Sequence, residues 1–211
     1  MKRFVLLTLP LLAACGPKYG MRVPDEMVNK LSYETRIELL EAENDLALAI
    51  DKLDEASSEI VRARDNIRRA RSRAQDAEKE LERADDAVSR EVAQLTIEEA
   101  EARVEYLRAR QRLNVSLQEI EQLALRCAFA RFEVARVTAA RKAKVEGSEE
   151  LDPKEFEAQA ATCAAEEKEL RAGLANENSD EKTAREAWEA KKAALAKKTF
   201  DARTSPYVEN L

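Results

Sequence analysis

Three cysteines, Cys15, Cys127 and Cys163, are the residues best equipped for chemistry in a chain that has no histidine. A thiol can act as a nucleophile, accept a covalent group, or close a disulfide. The usual surroundings of a catalytic thiol are missing. There is no imidazole to take its proton, no glycine-rich phosphate loop and no nucleophile motif. Carboxylates are abundant, but they recur at the spacing of charges on a helix face. The expectation is therefore a non-enzymatic protein with no catalytic residue, cofactor, metal ligand or small-molecule substrate.

Cys15 has a distinctive approach. Met1-Lys2-Arg3 is basic, and Phe4–Ala14 is an apolar run broken only by Thr8 and Pro10. As a helix this run would span about half of the ~30 Å hydrocarbon core, too little for a transmembrane segment. A basic start, a short apolar region and small residues before a cut read as an export signal covering residues 1–14.

Leu12-Ala13-Ala14-Cys15 resembles the lipobox of bacterial lipoprotein precursors. The resemblance implies cleavage before Cys15 and attachment of acyl chains, palmitate among them, to that cysteine. Two or more acyl chains hold a protein stably on a membrane, at ~0.8 kcal/mol per buried methylene. It also implies a protein facing the periplasm. Gly16, rather than an aspartate, at the next position resembles the outer-membrane class. Gly16, Pro17, Gly20 and Pro24 then mark residues 15–27 as a lipidated flexible tether, reaching at most ~40 Å.

The remainder is built for helix. No glycine occurs from Met21 to Glu146 and no proline from Asp25 to Asp152, so the strongest helix breakers are absent. Without Lys2 and Arg3 the chain carries 34 basic and 42 acidic side chains, a formal charge of −8. That balance offers no general attraction to nucleic acid.

Apolar residues recur every seven positions at Leu39, Leu46, Leu53, Ile60, Ile67, Ala74, Leu81, Val88 and Leu95. Three residues on, Ala42, Ala49, Ala56, Ala63, Ala70, Ala77 and Ala84 form a second line. This is a heptad with large residues at one seam position and alanine at the other, the mark of a closely packed coiled coil. The register slips by eleven residues from Leu95 to Tyr106, a stutter, before Leu113, Ile120, Cys127 and Val134 resume it.

The clearest stop is Gly147, a natural left-handed helix end, followed by Asp152-Pro153-Lys154-Glu155, which carries the N-cap, N1 and capping-box residues of a new helix. The expected fold is all-α, a long antiparallel coiled-coil hairpin. Its body, residues 28–203, comprises helix 28–146, turn 147–152 and helix 153–200, with a disordered tail at 204–211. Folding about residue 149 sets Arg131, Arg136, Arg141, Lys142 and Lys144 against Glu155, Glu157, Glu166, Glu167 and Glu169. It also sets Glu98 and Glu99 near Lys191 and Lys192. The alternative is a three-helix antiparallel bundle with an extra turn near residues 91–97, where Thr96-Ile97-Glu98-Glu99 has the form of a capping box. The continuous helix is the preferred reading.

With Cys15 acylated, Cys127 and Cys163 remain as an even pair in an oxidising compartment, a disulfide candidate. About a centre at residue 149, however, they lie ~13 Å apart along the axis, whereas a bridge needs α-carbons within ~7 Å. Either the turn is asymmetric, with the first helix ending early, or both thiols are buried seam residues. The arginine cluster Arg62–Arg73 is expected to be a solvated or partner-helix face, and Trp188 a core residue.

The function expected is that of a membrane-anchored coiled-coil lipoprotein with a structural or scaffold role in the cell envelope. It would associate with itself or with another helical envelope protein. The chain distantly resembles the small trimeric lipoprotein that links the outer membrane to the cell wall. It departs in length, in its hairpin, and in ending Glu209-Asn210-Leu211 where that family couples a terminal lysine to peptidoglycan. The second expectation is a chaperone-like or secretion-accessory helical lipoprotein.

Overall fold

A computed structural model describes residues 20–199. The proposed signal, Cys15 and the tail from residue 204 lie outside the described residues. The fold is all-α, and no strand occurs among the described residues. Two short helices, α1 (Asp25–Asn29) and α2 (Tyr33–Ile37), lead into α3 (Leu40–Arg83). Then follow α4 (Ala87–Lys142), a 3₁₀ turn (Ser148–Glu150), α5 (Pro153–Ala172) and α6 (Ala175–Thr199). The helices divide between two compact units, one drawn from residues 20–49 and 123–167, the other from residues 50–122 and 168–199.

The preferred continuous helix 28–146 is not what forms. The chain reverses at residues 84–86, earlier than the alternative turn at 91–97. Asp86 is the reason. Its carboxylate accepts the backbone N–H groups of Val88 (2.8 Å) and Ser89 (2.9 Å) and the Ser89 hydroxyl (2.6 Å), satisfying donors that a helix start leaves orphaned. On the other side, Arg90 Nε donates to the Ala84 carbonyl. Two aspartates are unfavourable at a helix C-terminus and favourable at an N-terminus, so the macrodipole also places the boundary here. Thr96 sits inside α4 and donates to the Val92 carbonyl; it caps nothing.

The seam is correct as far as the reversal. Ile60, Ala63, Ile67, Ala70 and Ala77 are buried along α3. Val88, next in the heptad, is 59% exposed because it belongs to a new helix with its own register. In the second unit α3 lies antiparallel to α4: Gln118 bonds Ser57 (2.9 Å), and Arg73 approaches Glu99 (3.5 Å). Helix α6 is antiparallel to α4, with Lys191 on Glu98 and Trp188 on Glu99. Ile67, Ala70, Val104, Tyr106, Leu107 and Trp188 form the core between the three helices.

Two further boundaries depart from expectation. The helix expected over 153–200 is interrupted at Gly173-Leu174, where Gly173 N–H is shared between the Glu169 and Leu170 carbonyls. The end of α4 falls at Lys142 rather than Glu146. There Lys144 adopts φ 53°. Val145 N–H reaches back to the Ala140 carbonyl (3.0 Å) and Lys144 N–H to the Arg141 carbonyl (3.1 Å). This paired closure is a Schellman motif with lysine where glycine is usual. Gly147 is left-handed as expected (φ 84°), but it precedes the 3₁₀ turn, and a Cβ there would lie 3.0 Å from the Met27 Cε.

Candidate functional site

Cys127 and Cys163 are bridged, with α-carbons 5.4 Å apart. The early end of α4 and the ten-residue connection make the turn asymmetric, so residue 163 comes opposite residue 127 rather than 136. Both cysteines are fully buried between α4 and α5.

The most elaborate polar site of the first unit is one that the sequence reading missed. Residues 21–31, assigned to the tether and to the start of a long helix, are packed from Met21 onward. Val23 is buried with Val137 and Phe156, and Met21, Met27, Val28 and Leu151 pack around them. Leu31 joins Leu39, Ala139, Ala140 and Val145. The correction has a plain physical cause. Met21, Val23, Met27, Val28 and Leu31 carry too much apolar surface to stay in water when a complementary helix face is available.

A buried carboxylate fixes the entry of this strap. Glu133, on α4, is 1% exposed. One oxygen accepts the Val23 N–H (2.7 Å); the other accepts from Arg136 (2.9 Å) and from Arg22 (3.3 Å). Arg136 also pairs with Asp25 and lies over the Phe132 ring, while Arg22 lies over Phe129. Met21 N–H donates to Gln159 of α5. Burying a carboxylate is costly unless its lone pairs are occupied; here two guanidinium groups and a main-chain donor occupy them. Farther along, Lys142 holds Glu38 (2.8 Å) and Arg141 donates to the Ser148 carbonyl. Of the basic residues expected to face the glutamates of α5, Arg136 and Lys142 thus engage Asp25 and Glu38, and Arg141 engages the turn.

In the second unit the Trp188 indole donates to Glu99 (2.7 Å), and its ring stacks on Tyr106 with centroids 5.2 Å apart. The Arg103 guanidinium and the Lys192 ammonium lie over the Trp188 ring, 5.5 and 5.2 Å from its centroid. Trp188 is therefore a core residue with its polar edge satisfied. In the arginine cluster, Arg62 and Arg68 pair with Glu59 and Asp65 one turn earlier, and Arg73 faces Glu99. The pairing expected between Glu98 and Lys191 is present at 2.8 Å, while Lys198 takes Glu91.

No group of histidine, cysteine, aspartate or glutamate among the described residues is arranged to hold a metal ion. No helix among them is long and apolar enough to cross a membrane. The groove between α3 and α4 near Arg71, Glu98, Glu101, Arg108 and Lys191 is open and carries both signs of charge. What the chain does build is a strap pinned to α4 and α5 at Met21, Val23 and Asp25. The chain matches no family model, no curated protein and no solved structure.

Proposed function

We propose that this chain is a lipid-anchored helical protein of the bacterial envelope, held through acylated Cys15 and facing the periplasm, with the outer membrane as its site. Its role is structural, as a scaffold that presents helix faces to another helical protein or to copies of itself. The observation that supports the reading best is the strap. The strap begins at Met21, six residues after Cys15 in the sequence, and is held there by Gln159, Glu133 and Arg136. An anchor that positions a body needs the chain beyond it fixed to that body. The buried Cys127–Cys163 bridge suits an oxidising compartment. The chaperone-like alternative is less well supported. The connection at 143–152 offers no apolar face, because Val145 is buried, Leu151 packs against the Val23 cluster, and apart from Ala143 the residues it exposes are Lys144, Glu146, Glu149, Glu150 and Asp152.

The test is expression of the full chain in a bacterial host, followed by fractionation and intact mass. The expected product begins at Cys15, carries acyl chains and stays with the membranes, and Cys15→Ala moves it to the soluble fraction. An exported product with an unmodified Cys15 thiol would remove the anchor from the proposal.

A further inference from the structure

Residues 33–49, which hold α2 and the first turns of α3, carry both buried and exposed apolar residues. Leu39 and Ala49 are buried within the first unit. Tyr33 is 71% exposed, Ile37 47%, Leu40 49% and Leu48 56%. Tyr33 and Ile37 are one turn apart on α2; after the break at Glu38-Leu39, Leu40 and Leu48 follow in the first turns of α3. Scattered exposed apolar residues are ordinary, but four large ones gathered on α2 and the adjoining start of α3 mark a contact surface.

The exposed charges beside these residues are mostly acidic: Glu34, Glu38, Glu41, Glu43 and Asp45, against the single base Arg36. An anionic membrane face would be repelled by these flanks. A two-fold contact with a second copy would set the same acidic flanks against each other, which like-charge repulsion disfavours. The surface fits a helix whose own apolar seam is bordered by lysine or arginine, the complement that charge pairing at coiled-coil edges selects.

We infer that the Tyr33–Leu48 face docks a basic amphipathic helix of another protein. The inference rests on the scaffold role proposed above but not on the lipid anchor, so the two fail separately. The probe is a synthetic three-heptad peptide with leucine at a and d and lysine at e and g, titrated onto the full chain by fluorescence anisotropy. The control peptide carries glutamate at e and g. The lysine peptide is expected to bind at least about tenfold more tightly than the glutamate peptide, and the double variant Ile37→Ser, Leu40→Ser to lose about tenfold in affinity. Glu41→Gln with Glu43→Gln should weaken binding and flatten its salt dependence. These positions are exposed, and circular dichroism is the check that each variant folds. Equal binding of the lysine peptide by parent and Ile37/Leu40 variant overturns the inference, as does no binding at all. So does a self-association, seen by sedimentation, that the same double variant abolishes, because a second copy would then be the occupant.

Discussion

Replacing Glu133 by alanine tests whether the strap is held as described. The substitution removes the acceptor of the buried Val23 N–H and the buried counter-charge of Arg136 in one step. An unpaired buried donor costs about 1–3 kcal/mol, and breaking a buried ion pair from one side costs about 3–5 kcal/mol. Two features lower the total. Arg136 keeps Asp25, and Arg22 is half-exposed and can return to water. A loss of about 3 kcal/mol follows, close to the value for the ion pair alone. The strap is held by side-chain contacts to α4 and α5 rather than by their backbone bonds, and can detach without unfolding either helix, so the loss should be local. Native-state hydrogen exchange is the assay. Protection of the Val23 amide is expected to fall about a hundredfold, while amides of Val104 and Leu107 in the second unit keep theirs. Glu133→Gln, which keeps an acceptor for Val23 but no charge, should fall between parent and alanine. If the Val23 amide is as protected in the alanine variant as in the parent, the carboxylate does not hold the strap and the reasoning is wrong.

Other perturbations have equally definite outcomes. Opening the Cys127–Cys163 bridge by Cys127→Ser with Cys163→Ser frees a 36-residue separation; on the chain-entropy account the cost is about 4 kcal/mol, read as a lower urea midpoint, and an unshifted midpoint would contradict it. Lys144→Gly relieves a left-handed conformation that costs a side-chain-bearing residue about 1 kcal/mol; the unfolding midpoint should rise, and a fall would show that the lysine side chain contributes more than its backbone costs. Asp86 is held below the usual aspartate range, first by the Ser89 hydroxyl and then by backbone N–H groups. A depressed carboxyl stabilises the fold above its unfolded value, and that stability is lost as pH falls through the lowered folded value. Carbon-detected NMR titration should therefore find the Asp86 midpoint below the usual aspartate value, and Ser89→Ala should move it up; a midpoint unmoved by that change would deny the hydroxyl its role.

The legible parts of this fold were those that repeat. Leucine and isoleucine at one heptad position and alanine at the other placed the buried face of α3 correctly from Leu39 to Ala77. The reversal was hidden by the same regularity. Ala84 completes the alanine line and Val88 the large-residue line, so the pattern runs straight through a place where the helix stops. Asp85-Asp86 reads equally well as helix-face charge or as an N-cap, and only packing of α3 on α4 decides between them. The cysteine pairing was suggested by an even count, but its register depended on Lys144 ending α4 a turn early. Lysine gives no signal for a left-handed residue. Glu133 and Arg136 look like any exposed i,i+3 pair. Their burial is imposed by residues more than a hundred positions away, although the apolar content of Met21, Val23, Met27 and Leu31 was a usable sign that this stretch would not stay free.

Both sulfurs of the bridge are shut away from solvent, and that burial governs how the molecule would meet a reductant. A small thiol cannot attack until α4 and α5 part around residues 127 and 163. With reductant in excess, the pace of bridge loss then reports how often those two helices separate rather than how reactive the sulfurs are.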